Sequence, residues 1–176
     1  NYKTGEILCM VSSPTFDPYH PEVISNDKSG QYEGAYINRV LSSSYAPGSV
    51  FKLITSAAGL NSFSDMETKT YSCQQVETVN GKKVTCMGHH GDINLKNAMM
   101  KSCNIYFADL AIALGKNNMT KTANSMGFNR NFKFDKIETK KSVYDVQNAD
   151  NYNLGWSGVG QYNDLLNPML RAILMG

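Results

Sequence analysis

The sequence lacks long hydrophobic runs and a strong excess of charge of either sign. No apolar run approaches the ~20 residues that a membrane-spanning helix needs. The net charge is only +2, and acidic and basic residues are interspersed along the chain. Because a charge pattern of this kind favours neither nucleic acid nor an anionic membrane surface, we expect no nucleic-acid partner and no membrane segment within these residues.

A signal peptide is also missing from the start of the chain. Asn1 leads directly into a segment typical of a turn followed by a strand over residues 5–13, and the far end stops inside or just after a helix. We therefore expect a fragment of a longer protein whose targeting segment lies outside these residues. Its 176 residues, 41% of them hydrophobic, suit one folded domain with a core of its own.

The cysteines do not form a close Cys-x-x-Cys pair. Asn80-Gly81 predicts a two-residue hairpin loop, which places Gln75 opposite Cys86 and Cys73 opposite Gly88. The two cysteines would then be diagonal neighbours, so a disulfide between them needs a bulge or a change of register. A disulfide and two free thiols both remain open.

Cys73, Cys86, His89 and His90 are also the residue types that bind zinc. Their spacing lacks a close cysteine pair, however, and adjacent histidines seldom face the same ion. We therefore assign no metal ligand and no cofactor, and interpret the two histidines as loop residues.

Apolar periodicity predicts helices that would make up much of the fold. The predicted helices cover residues 48–62, 91–102, 103–115 and 119–128, and a last one begins at Pro168. Asp92 or Asn94 would cap the second of these helices, and Asn167 the last. The glycine-rich residues 155–161 predict a turn.

Ser49 and Lys52 stand at the start of the first of these helices. Residues three apart share a helix face, so a lysine there can reach a serine hydroxyl. A serine becomes a good nucleophile only when a base takes its proton, and a lysine can act as that base only when burial lowers its pKa. On its own, the pair is more often a helix cap and a surface lysine.

Ser102 and Asn104 follow at the junction of two predicted helices. From a short irregular turn, both side chains can face a cleft. The serine could relay a proton, and the asparagine could hold a substrate amide or orient Lys52. The simpler alternative is a helix kink with a buried cap.

The two motifs, in this order and about fifty residues apart, resemble those of the transpeptidase domain of the penicillin-binding proteins, in the superfamily of the serine β-lactamases. The resemblance extends over nearly the whole chain, because four further segments are similar to that family. They are "KTGEILCMVSSPTFDP", "PGSVFKLIT", "HHGDINLKNAMMKSCNIYFADLAIALG" and "GVGQ…NPMLRAIL".

The resemblance implies a role for each motif residue. Ser49 would be the acylated nucleophile, Lys52 its general base, and Ser102 the group that passes the proton to the leaving amine. Asn104 would bind the substrate amide and brace Lys52. The implied reaction transfers an acyl group from a D-alanyl-D-alanine stem peptide of peptidoglycan to the amine of another strand, and β-lactam antibiotics would trap Ser49.

The resemblance also implies the architecture and the location. Residues 1–176 would form a partial transpeptidase domain of the α/β (α+β) class, with an antiparallel sheet flanked by helices and a mainly helical subdomain at about residues 64–128. The longer protein would be membrane-anchored and would act at the outer face of the bacterial cytoplasmic membrane.

Departures from the family pattern define the alternatives. The family's Lys-Thr-Gly motif should come late, but the match here is Lys3-Thr4-Gly5, which we interpret as a turn. The chain stops at Gly176 before the expected motif, so an incomplete sheet and a catalytically incompetent fragment are one alternative. Tyr162 also replaces a glycine that commonly follows the position of Gln161.

The same fold leaves a β-lactam sensor or a serine β-lactamase as further alternatives. A β-lactamase needs a base that activates the deacylating water. The Glu-rich loop of one β-lactamase class is not recognisable here, since residues 142–154 offer only Asp145 and Asp150 as carboxylates.

Overall fold

The structure, a computed structural model, describes residue 1, residues 3–134 and residues 136–176. It divides into two compact units: a terminal unit of residues 1–45, 131–141 and 166–176, and a central unit of residues 46–130 and 142–165. In chain order the helices are α1 (Glu22–Ser25), α2 (Arg39–Ser42), α3 (Lys52–Ser62), α4 (Leu95–Met100), α5 (Asn104–Ser125), α6 (Asn151–Gly158) and α7 (Pro168–Met175). The strands are β1 (Thr70–Cys73), β2 (Val76–Val79), β3 (Lys82–Thr85), β4 (Gly91–Asn94), β5 (Lys133–Phe134) and β6 (Ile137–Glu138).

The terminal unit is organised around the cap of α7. Asn167 Oδ1 accepts a hydrogen bond from Met169 N at 2.9 Å, which confirms the predicted cap with Pro168 as the first helical residue. The amide nitrogen of Asn167 donates to Leu41 O and Ser43 O, and so joins α7 to the end of α2.

The predicted strand over residues 5–13 does not form. These residues lie outside any strand, because a strand requires a hydrogen-bonded neighbour and no strand of the described residues pairs with this segment. The turn before it is present as predicted: Gly5 N donates to Asn1 O at 2.9 Å, and Gly5 has a φ of 72°. Lys3 and Thr4 therefore belong to a turn.

The core of the central unit is built on α5, which contacts α3, α6 and β1. Gly115 interrupts α5 with a φ of 72°. The interruption coincides with the end of the helix that was predicted over residues 103–115. The predicted turn over residues 155–161 is wrong for its first half, because helix α6 continues to Gly158 with Asp150 as its cap, but Val159 and Gly160 form a turn as predicted. Gly155 and Gly158 are needed for packing instead: a Cβ at Gly158 would lie 2.8 Å from Phe107 O of α5.

The predicted hairpin is confirmed by the pairing of β2 with β3. Asn80 and Gly81 both have positive φ, and Cys86 N donates to Gln75 O at 2.8 Å in the predicted register. The expectation that Cys73 lies opposite Gly88 is wrong. Gln75 has a φ of 68°, so β1 leaves the hairpin and pairs with β4, where Cys73 faces Gly91. All four cysteines are free thiols.

The predicted helix over residues 48–62 forms as a 3-10 turn, Gly48–Phe51, that continues into α3. Residues 91–102 begin with β4 and continue into α4, with Asn94 as the cap of α4. The predicted subdomain of residues 64–128 lies inside the central unit and contains strands β1 to β4 as well as α4 and α5.

Within the described residues, no helix is long and apolar enough to cross a bilayer.

Candidate active site

Ser49 is exposed on the 3-10 turn that precedes α3. Phe51, the last residue of this turn, is fully buried and packs into the core of the central unit. Its ring stacks on Tyr144 with the centroids 5.0 Å apart and meets Phe128 edge-on at 5.5 Å. Because the packed Phe51 is rigid and the serine lies two residues before it, the hydroxyl of Ser49 is held at the surface in a defined position.

Gly160 supports the same turn from the other side. Its carbonyl oxygen accepts a hydrogen bond from Gly48 N at 3.0 Å, and its φ is 80°. A Cβ at this position would lie 2.8 Å from Phe51 Cβ and 2.9 Å from Gly48 N. The sequence indicated a glycine-rich segment here but not this contact, which depends on residues more than one hundred positions apart.

Lys52, the first residue of α3, is buried and has an exposed fraction of 1%. Its Nζ donates to Ser102 O at 2.6 Å, to Ser102 Oγ at 3.0 Å and to Asn104 Oδ1 at 2.8 Å. It also lies 5.6 Å from the centroid of the Phe107 ring. All three N–H groups of the ammonium therefore have an oxygen acceptor, although the surroundings are apolar.

Burial lowers the pKa of Lys52 from 10.5 to about 8, while the Cys86 and Cys103 sulfurs partly oppose that lowering of its pKa. With a pKa of about 8, roughly one tenth of the lysine is neutral at pH 7. A neutral lysine amine can accept a proton, so Lys52 meets the condition for a general base.

Ser102 lies between Ser49 and Lys52. It lies between α4 and α5 with a φ of 49°, and its Oγ is 3.1 Å from Ser49 Oγ. Lys52 Nζ donates to Ser102 Oγ, and Ser102 Oγ donates to Ser49 Oγ. Hydroxyl groups can donate or accept as they rotate, so when Lys52 is neutral the same three groups can carry a proton from Ser49 to Lys52. The structure brings the four predicted residues together in the central unit.

Asn104 has its orientation set by the chemistry of its neighbours. Its Oδ1 accepts from the ammonium form of Lys52, which can only donate, and its Nδ2 donates to the carbonyl of Thr85 at 3.1 Å, which can only accept. Thr85 was not identified from the sequence, because any residue can supply a backbone carbonyl. The asparagine therefore braces Lys52 against the end of β3.

A cluster of possible metal ligands lies beside this site. Four donor atoms, one from each residue, lie within 4.8 Å of one another. The residues are Cys73, Cys86, His90 and Cys103. This set differs from the one weighed from the sequence: His89 is exposed and hydrogen-bonds Gln74, while Cys103 takes its place. Cys103 is the residue between Ser102 and Asn104.

The two carboxylates considered for deacylation have local structural partners. Asp145 accepts a hydrogen bond from Gln147 N at 3.1 Å. Asp150 caps α6 by accepting from Asn153 N at 2.8 Å. Both carboxylates are exposed, and each accepts its hydrogen bond from a backbone N–H two or three residues ahead.

Comparison with known proteins gives a family match. Residues 1–167 match the model of the penicillin binding protein transpeptidase domain. Peptidoglycan D,D-transpeptidase PbpA of Mycobacterium tuberculosis is 31% identical over 186 residues, covering 96% of this chain and 37% of that protein. Stage V sporulation protein D of Bacillus subtilis is 33% identical over 133 residues, covering 73% of this chain and 19% of that protein.

Solved structures give the same result. Penicillin-binding protein A from M. tuberculosis, as a penicillin G acyl-enzyme complex, matches with a TM-score of 0.83 at 27% identity, over 98% of this chain and 43% of that one. A D,D-transpeptidase domain from Eggerthella lenta matches with a TM-score of 0.85 at 25% identity, over 97% of this chain and 45% of that one. These likenesses confirm the predicted fold class. The chain spans less than half the length of the relatives that it matches.

Proposed function

Because the chain belongs to the family of penicillin-binding protein transpeptidase domains, we propose that it carries the nucleophile of a serine peptidoglycan D,D-transpeptidase. The observation that carries the proposal is the chain of hydrogen bonds from Ser49 Oγ through Ser102 Oγ to Lys52 Nζ. Asn104 completes it by holding Lys52 in place. The geometry thus supports activation of Ser49 for acyl transfer.

In the first step, Ser49 Oγ would attack the carbonyl carbon of the penultimate D-alanine of a stem peptide. The hydroxyl proton passes through Ser102 to the neutral amine of Lys52. The C–N bond to the terminal D-alanine then breaks, and its nitrogen takes the proton back along the same path. The products are an acyl-serine at Ser49 and free D-alanine.

In the second step, the amine of another stem peptide attacks the acyl-serine carbonyl. The amine loses a proton, a new amide bond forms, and Ser49 regains its hydroxyl group. With a β-lactam, attack by Ser49 instead opens the ring at its amide C–N bond. The ring nitrogen takes the proton but stays attached to the acyl group, so no leaving group departs to make room for an incoming amine.

A serine β-lactamase is the second candidate, since the fold allows it. The partners of Asp145 and Asp150 favour the transpeptidase, because both carboxylates are exposed and accept local backbone hydrogen bonds. Steady turnover of a chromogenic cephalosporin would support a β-lactamase. Stoichiometric trapping would support a transpeptidase or a β-lactam sensor, and synthesis of cross-linked peptidoglycan separates those two.

The experiment that tests the proposal is labelling of the full-length protein with a fluorescent penicillin, followed by mass spectrometry of the labelled peptide. We expect the label on Ser49 and none in Ser49→Ala. Ser62→Ala is the matched control, because Ser62 is an exposed serine at the end of the same helix and should leave labelling unchanged. Undiminished labelling of the Ser49→Ala variant would refute the mechanism.

We further propose that the longer protein is membrane-anchored and works at the outer face of the cytoplasmic membrane, where peptidoglycan is cross-linked. Its partners would be D-alanyl-D-alanine stem peptides and β-lactams. Membrane fractionation and protease accessibility in intact spheroplasts would test the location. The chain spans 37% of the length of the M. tuberculosis PbpA relative, so comparing the labelling rate of the 176-residue chain with that of the full-length protein would test the alternative that these residues alone are catalytically incompetent.

A further inference from the structure

We propose that Cys73, Cys86, His90 and Cys103 bind one zinc ion that fixes the turn carrying Ser102 and Asn104. The four residues come from different parts of the central unit. Cys73 ends β1, Cys86 and His90 lie between β3 and β4, and Cys103 caps α5. The site uses none of the groups that carry the proposed acyl transfer.

The distances between donor atoms match a tetrahedral zinc site. With Zn–S bonds of about 2.3 Å and a Zn–N bond of about 2.0 Å, a tetrahedron has an S···S edge of about 3.8 Å and an S···N edge of about 3.5 Å. Cys86 Sγ lies 3.8 Å from Cys103 Sγ and 3.7 Å from His90 Nδ1. Because all four donor atoms lie within 4.8 Å of one another, the widest pair has to close by about 1 Å.

The surroundings of the sulfur atoms suit thiolate ligands. Cys86 Sγ accepts a hydrogen bond from Asn104 N at 3.3 Å, and Cys103 Sγ accepts one from Tyr106 N at 3.4 Å. Backbone N–H groups that donate to sulfur are typical outer partners of metal-bound cysteines. Cys73 and Cys103 have no exposed surface and Cys86 has 8%, so the three sulfur atoms are shielded from solvent, while His90 is half-buried at the edge of the cluster.

The ligand set identifies the metal and its role. Three thiolates and one imidazole favour zinc over magnesium or calcium, which prefer oxygen ligands. Four protein ligands fill a tetrahedral shell and leave no open position, so the ion would be structural and not catalytic. It would tie Cys103 to the β1–β4 region, and Cys103 is the residue between Ser102 and Asn104.

The first test is the metal content of the full-length protein, expressed with added zinc and purified under reducing conditions without chelator. We expect about one zinc per chain, with three sulfur neighbours at about 2.3 Å and one nitrogen neighbour at about 2.0 Å by X-ray absorption spectroscopy. Purified protein that stays zinc-free, or that holds zinc through oxygen ligands, would overturn the proposal. A disulfide within the cluster in the purified protein would overturn it as well.

The second test compares ligand variants with matched controls. Cys73→Ser and His90→Ala should each lower the zinc content at least about ten-fold. Cys9→Ser changes an exposed cysteine outside the cluster, and His89→Ala changes the exposed histidine next to His90. Both variants should keep the wild-type zinc content. Equal zinc content in all four variants would refute the assignment of these ligands.

If the ligand variants do not fold, cobalt replacement in the wild-type protein decides the same question. Co(II) in a site with three thiolates gives intense visible d–d bands and near-ultraviolet charge-transfer bands, which should saturate at one equivalent and disappear when zinc is added. Weak bands typical of octahedral Co(II) would refute the site. Because metal content and spectra are read without any β-lactam, a failure here is distinct from a failure of Ser49 labelling.

Discussion

Replacing Gly160 by alanine tests whether this residue, two positions beyond the end of α6, supports the turn that carries Ser49. At a φ of 80°, an alanine carries a strain of about 1–2 kcal/mol. Its Cβ would also lie 2.8 Å from Phe51 Cβ and 2.9 Å from Gly48 N, and overpacking of this kind costs about 1–3 kcal/mol. We therefore expect Gly160→Ala to lower the free energy of unfolding by about 2–5 kcal/mol.

The same change should slow acylation, because relief of the clash moves the turn that carries Ser49. A displacement near 1 Å can lower a reaction rate by about 10²-fold. Gly81→Ala is the matched control: it lies in the same unit with a φ of 76°, and its Cβ would contact nothing within 4 Å. It should cost about 1–2 kcal/mol and leave acylation unchanged.

Urea denaturation gives the free energies of unfolding for this comparison, and stopped-flow measurement of penicillin acylation gives the rates. Equal destabilisation by the two variants, together with equal acylation rates, would show that position 160 requires glycine only because of its positive φ. In that case the proposed packing against Gly48 and Phe51 would be refuted.

Three further predictions concern ionisable groups. If neutral Lys52 is the base, as proposed, the acylation rate of Ser49 should rise about ten-fold per pH unit up to the Lys52 pKa of about 8 and then level off. A flat pH profile in penicillin kinetics would contradict this role. Asn104→Asp places a carboxylate beside Lys52 and raises its pKa, so acylation near neutral pH should fall about ten-fold and the midpoint should move upward; an unchanged midpoint would contradict the contact. Burial and the neighbouring Glu77 raise the pKa of Asp109 from 3.8 to about 7, so the free energy of unfolding falls as the pH rises from about 4 to about 7. Asp109→Asn should remove this fall and increase the free energy of unfolding above pH 7. An unchanged pH dependence in urea denaturation would refute the interaction between Asp109 and Glu77.

Local features of the fold could be predicted because neighbouring residues determine them. Asn80-Gly81 favours positive φ at both positions, and a two-residue loop determines which residues of β2 and β3 face each other. Asn94 and Asn167 cap α4 and α7 through hydrogen bonds to N–H groups two or three residues ahead. None of these features needs a distant part of the chain.

Errors in the predictions arose where a distant partner decides the outcome. Residues 5–13 alternate like a strand but have no pairing partner among the described residues. Glycines of α6 suggested a turn, yet the helix continues because Gly158 allows close contact with α5. The sequence also did not group Cys103 with Cys86, because 17 residues separate them, whereas the start of α5 brings their sulfur atoms to 3.8 Å.

The active site divides in the same way. The sequence by itself determined that Ser49 and Lys52 share the start of one helix, and that Ser102 and Asn104 flank a single residue. Only the tertiary structure decided that these motifs meet, that Lys52 is buried, and that its pKa therefore falls to about 8. The physical reason is the separation of the interacting residues along the chain. Caps and turns depend on hydrogen bonds between residues a few positions apart, whereas the desolvation of Lys52 and contacts between residues fifty positions apart arise only when the helices pack together.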